Sequence, residues 1–184
     1  MTLPYCISEV RHREFPSATA VASALTPLGL SLDDLVAAFR GYICPIAPAA
    51  GRGYGSDLAE DIKGYLEKTL ERDGLRPTRN RQYLSYSRSL STHADFGLMH
   101  DRSNRAVFFE IGFRPNYERD LLKFQIGASE GMMACGVLVL SIDPKSIDAA
   151  LGTMPSYDEV IRVLEVLRPT YPLIVVGLRG SHAA

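Results

Sequence analysis

Asp95 and Glu110 are the residues of this chain whose type and spacing could do chemistry. They lie in ADFGLMHDRSNRAVFFEIGF, residues 94–113, which reads as a β-hairpin. In its second strand Val107, Phe109, Ile111 and Phe113 alternate with Ala106, Phe108, Glu110 and Gly112. Strand side chains switch faces with period two, so the first set is a core face and Glu110 points away from it. In the first strand Phe96 and Leu98 face one way, and Asp95, Gly97 and Met99 the other. Arg102-Ser103-Asn104 is the turn signal. A two-residue Arg102-Ser103 loop pairs Asp101 with Asn104 and, continued down the strands, sets Asp95 opposite Glu110. A loop one residue longer would set Asp95 opposite Ile111. Opposed residues have Cβ atoms roughly 4.5–5.5 Å apart, and two like charges there need a divalent cation or a shared proton. Hard oxygen ligands of this kind suit Mg²⁺, which keeps its other positions for water and phosphate. Two acids on a hairpin are more often a solvated face, so the surrounding elements must decide.

Residues 1–15 suggest a short strand or extended arm. Ser17 to Leu25 is Ala-rich and helical, ended by Pro27 and Gly29. Ser31 looks like an N-cap, with Asp33 and Asp34 in the first turn and Leu35, Val36 and Phe39 on one face. Pro45 to Gly55 has the composition of a mobile loop, and its Arg52 matches no phosphate-loop pattern. Ser56 caps a helix whose Leu58, Ile62, Leu66 and Leu70 recur at i+4 and which Gly74 ends. Residues 76–92 are basic and polar, with Arg76, Arg79, Arg81 and Arg88 beside Tyr83 and Tyr86, and contain no acid. A solvated loop and a phosphate-positioning segment are both open readings of it.

After the hairpin, Asn116 could cap a helix from Tyr117 to Glu130. Residues 135–142 form a continuous apolar run, as in a buried strand. Asp143 to Met154 reads as a loop and short helix. Ser156 and Glu159 make a capping box for a helix carrying Val160, Val163, Leu164 and Leu167, and Leu173 to Leu178 is the last strand. The expectation is an α/β fold: a single-domain mixed sheet flanked by helices, spanning 1–184, with an N-terminal helical part to about 75 and a core over about 90–178.

Composition excludes several classes. Hydrophobic residues make up 46% and charged residues 22%, and the net charge of −1 is not that of a broadly basic nucleic-acid binder. Cys6, Cys44 and Cys135 are odd in number and scattered, which suits a reduced, cytoplasmic setting and buried small side chains. No signal peptide is visible, and no apolar run approaches a membrane span.

The ordered set of elements resembles the PD-(D/E)XK nucleases, which place an Asp at the start of one hairpin strand and a Glu in the next. A Lys usually stands two residues beyond the Glu, and a helix and buried strand follow. The likeness is to type II restriction endonucleases of the BglII/BstYI kind. Ala94-Asp95-Phe96-Gly97 looks like their Asp-Phe opening, and Phe109-Glu110-Ile111-Gly112-Phe113 like their E-V-Q-F segment. Gly136-Val137-Leu138-Val139 and the strand from Tyr171 to Leu178 resemble their last two strands, so the match runs in order over roughly 57–178. The resemblance implies a restriction-endonuclease-like fold and hydrolysis of phosphodiester bonds in double-stranded DNA by a homodimer. It also implies that Asp95, Glu110 and the backbone carbonyl of Ile111 hold Mg²⁺, or Mn²⁺ in its place.

Two departures stand out. The hairpin is longer than usual by an even number of residues, which keeps both acids on their faces. The third catalytic position, Lys or Gln in relatives, is Gly112. Arg114 shares the face of Glu110, and Lys123 sits on the following helix with Glu118 one turn earlier, so either cation could fill the gap. The alternative is a catalytically impaired DNA-binding or protein-interaction module. Asp101, roughly 20 Å up the strand at about 3.3 Å per residue, reads as a turn residue. His93 and His100 read as surface or packing residues before catalytic bases.

Overall fold

Apolar runs become buried strands here, and amphipathic stretches become the helices that cover them. The computed structural model describes residues 5–44, 54–79, 82–85, 91–113, 116–144 and 154–182, with side chains over 7–42, 58–78, 94–113, 116–144 and 154–180. In chain order the elements are β1 (Tyr5–Phe15), α1 (Ala18–Leu25), a 3-10 turn (Thr26–Leu28), α2 (Leu32–Arg40), β2 (Ile43–Cys44) and α3 (Tyr54–Leu70). Then come β3 (Leu75–Arg79), β4 (Gln82–Ser85), β5 (Ser91–His93), β6 (Phe96–His100), β7 (Ala106–Ile111) and α4 (Tyr117–Ser129). β8 (Met133–Ser141), α5 (Tyr157–Leu167) and β9 (Leu173–His182) are the last described elements.

Among the described residues seven strands form one mixed sheet, in the order β2-β1-β9-β8-β7-β6-β3, and β4 pairs separately with β5. β7, β8 and β9 run parallel, and the pairs on either side are antiparallel. α4 makes the crossover from β7 to β8 and α5 the one from β8 to β9, as parallel strands require. This is an α/β fold.

The sheet buries both faces. One carries Phe96, Leu98, Val107, Phe109 and Ile111 against α1, α2 and α3, through Leu25, Phe39, Ile62 and Leu66 among others. The other carries Phe108, Leu138, Leu140 and Val175 against Phe124 of α4 and Tyr157, Val160 and Leu164 of α5. The period-two alternation therefore sorts the residues as expected, but neither face of β7 is solvated: all six of its residues are buried. Glu110 consequently lies under α4.

The hairpin register is set by Phe96 opposite Phe109, Gly97 opposite Phe108, Leu98 opposite Val107 and Met99 opposite Ala106. The ladder ends at Phe96 opposite Phe109, and Asp95 and Glu110 are the next residue on each side. The connection differs from the two-residue loop expected. His100 N–H donates to the Arg105 carbonyl at 2.9 Å and Asn104 N–H donates to the His100 carbonyl at 3.1 Å, closing a loop over 101–104. Asn104 adopts the left-handed conformation at φ 53°, which a short polar side chain tolerates. Both loops hold an even number of residues, so the register survives.

Elsewhere the boundaries move. Residues 1–15 hold an eleven-residue strand that pairs along β9 inside the sheet, so the N-terminal part is not helical throughout. α3 begins at Tyr54, before Ser56. Residues 75–79, which have no apolar alternation, form β3, the sheet's edge beside β6. An edge strand needs one buried face and one row of partners, and Pro77 is tolerated there. Residues 45–53, with Arg52, and 145–153 lie outside the described residues. Ser31 and Ser156 cap as expected, each closing a capping box with Asp34 and Glu159 respectively. Asn116 starts α4 without a side-chain capping bond.

Candidate functional site

Asp95 stands one residue ahead of β6, where the β6–β7 ladder stops. Gly112 N–H turns to β8, donating to the Val139 carbonyl at 2.8 Å, so the N–H of Ile111 points toward the β6 side. No backbone partner from β6 remains there, and Asp95 Oδ2 accepts that N–H at 3.2 Å. The carboxylate substitutes for a missing strand residue and is oriented by doing so. The Ile111 carbonyl accepts the Phe113 N–H at 3.0 Å, which leaves its second lone pair.

Glu110 is 1% exposed. Its Oε2 accepts from Lys123 Nζ at 2.6 Å, and its Oε1 is buried with no hydrogen-bond partner. Lys123 is buried as well and also contacts Asp120 Oδ1 at 3.1 Å. Burial pushes the Glu110 carboxyl up to about 8; the Lys123 ammonium opposes this, and the Asp95 and Asp120 charges reinforce it. Asp120 is raised chiefly by its own burial. Burial pulls Lys123 down, but Glu110 and Asp120 outweigh it and the ammonium is held protonated above its ordinary range. Burial is the largest of these causes, and it makes Glu110 favour a proton. An unpaired buried carboxylate oxygen is costly unless a proton or a cation occupies it.

Asp95, Glu110, Ile111, Asn116, Arg119, Asp120 and Lys123 line a cavity of about 70 Å³. Positions 116, 119, 120 and 123 share one face of α4, which the β7–α4 crossover aims at the end of the strand. Among the described residues no three carboxylate, imidazole or thiolate groups gather into a metal-holding set. The donors that the resemblance assigns to an ion are two of the cavity's carboxylates, Asp95 and Glu110, and the Ile111 carbonyl. That fits Mg²⁺, which takes one or two carboxylates and keeps several waters. The orphaned Oε1 is the oxygen that either a proton or a cation would satisfy.

The other expected residues separate. Lys123 is brought to Glu110, whereas Arg114 lies outside the described residues. Gly112 leaves little room for a side chain, since a Cβ there would sit 3.2 Å from Leu140 Cδ2 and 3.4 Å from the Val139 carbonyl oxygen. The ammonium at Glu110 belongs to Lys123 of α4. Glu118 is not its helical partner; Asp120 is, and Glu118 lines a different, apolar groove between α4 and α5. Arg76 lies exposed on β3 and pairs with Asp101 at the hairpin turn, away from Glu110. Arg79 is the last residue of β3, and Arg81 and Arg88 lie outside the described residues. His100 Nδ1 is 2.9 Å from Ser103 Oγ and accepts the Ser103 N–H at 3.2 Å, a turn contact. Cys135 is buried, and burial alone pushes its thiol up to about 12.

Sequence reasoning missed Asp120, Asn116, Arg119 and Lys63. Lys63 of α3 is 6% exposed and lies 3.9 Å from Asp95 Oδ1. The signal for both helices was a spacing, an acid three residues before a lysine, in Glu60/Lys63 and Asp120/Lys123. No single helix among the described residues is long and apolar enough to cross a membrane. No family model matches the chain, and no curated protein matches it either.

Proposed function

We propose that this protein is a Mg²⁺-dependent endonuclease that hydrolyses phosphodiester bonds in double-stranded DNA, with a restriction-endonuclease-like core. The observation that carries the reading is Glu110 Oε1, a buried carboxylate oxygen without a partner, beside Asp95 at a small polar cavity. The element order supports it: an Asp before one hairpin strand, a Glu in the next, then a helical crossover and a buried parallel strand.

In this reading Asp95, Glu110 and the Ile111 carbonyl hold the ion. When bound, it lowers the pKa of a water and neutralises charge on the scissile phosphate. Ile111 N–H keeps Asp95 turned toward the site. Lys123 is the third catalytic residue, supplied from α4 in place of position 112. Its ammonium, held at Glu110 Oε2, is positioned to orient the attacking water and to offset charge developing on the phosphate. Arg119 adds a second cation for the same phosphate. Arg76, Arg79, Arg81 and Arg88 would contact the DNA backbone, which fixes register and carries no base specificity. A homodimer would present two such sites to the two strands.

Incubation of the pure protein with plasmid DNA, with Mg²⁺, Mn²⁺ or chelator, tests this. Cleavage should require the ion and vanish in Asp95→Ala and Glu110→Ala; cutting that survives both changes would sink the assignment. Gly112 favours a second reading, a DNA-binding module without cleavage. It predicts salt-dependent retention of DNA with no nicking at any metal concentration.

A further inference from the structure

Lys63 lies on the opposite side of the sheet from Lys123. α3 packs on one sheet face and α4 on the other, yet each sends a buried ammonium to one strand carboxylate. Lys123 is at 2.6 Å from Glu110, in hydrogen-bond contact. Lys63 is at 3.9 Å from Asp95 Oδ1, an ion pair without a hydrogen bond, because Glu60 Oε1 three residues back draws the ammonium to 2.7 Å. Asp95 is thus set by two groups: the Ile111 N–H on Oδ2, and the charge of Lys63 at Oδ1.

We propose that Lys63 is a positioning residue whose ammonium competes with the divalent ion for Asp95, and that Glu60 sets the strength of that competition by holding the ammonium back. The inference rests on the metal-site reading above and adds its regulation by a residue pair outside the cavity. Two cations cannot share one carboxylate oxygen cheaply, so the ion binds more weakly the closer Lys63 comes to Oδ1. Removing the ammonium strengthens ion binding. Removing the Glu60 charge, which frees Lys63 to turn to Asp95, weakens it.

The test is Mn²⁺ binding to the full chain without DNA, read from the electron paramagnetic resonance signal of free Mn²⁺. Lys63→Met should bind about three- to ten-fold tighter than wild type, and Glu60→Gln about three-fold weaker, as expected for one unit charge near a divalent ion at partly screened range. Lys63→Arg should stay within about two-fold of wild type. Opposite signs are the signature, since a merely structural role would weaken binding in both variants. Equal signs, or no shift in either, overturn the proposal. Where Lys63→Met does not fold, Lys63→Gln, which removes the same charge, takes its place and should bind tighter, against the weaker binding of Glu60→Gln. Absence of Mn²⁺ binding by wild type overturns this inference together with the metal site. The expected shifts in a protein that never cuts DNA overturn the nuclease reading alone.

Discussion

At the scale of single residues, Glu110 decides how the site responds to pH. Burial, with Asp95 and Asp120 adding to it, holds its carboxyl at about 8 against 4.5 for the ordinary group. The native chain therefore binds a proton at Glu110 that the unfolded chain has released between those two values. Stability conferred by that proton is present at low pH and is lost as pH rises through about 8, the reverse of an ordinary salt-bridged acid. Melting curves of the metal-free protein should show the melting temperature falling from pH 5 to pH 8.5. Glu110→Gln, which cannot titrate, should flatten that slope, and an unchanged slope would remove Glu110 from the account. Lys123→Met separates chemistry from stability. Under the nuclease proposal, cleavage should fall by about 100-fold or more, as for loss of one preorganised donor. Stability should fall by only about 1–3 kcal/mol, because Glu110 can take up a proton once its partner is gone. Calorimetry and single-turnover cleavage on the same sample measure both.

At the scale of elements, the site depends on how closely α4 lies on the sheet. Gly136 of β8 makes that approach possible: a Cβ there would sit 3.0 Å from Phe124 Cγ and Cδ1. Phe124 is the neighbour of Lys123. Gly136→Ala should cost about 1–3 kcal/mol through overpacking and should also lower cleavage, as α4 moves and Lys123 loses Glu110. Gly177 is the control. Its Cβ would meet the Tyr157 ring of α5 at 2.6–2.7 Å, so Gly177→Ala should cost as much stability and leave metal affinity unchanged. If both changes damage the site equally, the contact at Phe124 is not what positions it. The α2 cap is a purely local feature. Ser31 Oγ accepts the Asp34 N–H at 3.1 Å and Asp34 Oδ2 accepts the Ser31 N–H at 2.8 Å, so Ser31→Ala should cost about 1 kcal/mol in denaturant unfolding.

At the scale of the molecule, β1 pairs along β9, the last described strand. Arg11 and Arg13 of β1 reach Asp158 and Glu165 of α5 at 3.5 Å. These pairs are exposed and contribute little energy, so β1 is held by its ladder with β9. Whether two such molecules act together can be read from the products on supercoiled plasmid. A homodimer should convert it directly to linear DNA, whereas accumulation of nicked circles before linear product indicates one site acting on one strand.

The sequence by itself determined what is local or periodic. Alternation in β7 separated Val107, Phe109 and Ile111 from Phe108 and Glu110, and loop parity set the register that ends at Phe96 opposite Phe109, next to Asp95 and Glu110, even though the turn itself closes differently. Ser31 and Ser156 announced their capping boxes because a cap is settled within four residues. β3 was not legible: an edge strand is defined by its neighbour, and Arg76-Pro77-Thr78 has no pattern of its own. Nor was the burial of Glu110, since two acids on a strand look the same whether water or a helix covers them. Only the crossover of α4 decided that, by closing over the strand end and bringing Lys123 to Glu110. Lys63 came from a helix on the far face, more than thirty residues before Asp95. Charge pairing across a sheet edge depends on which helices cover it, and that is a property of packing.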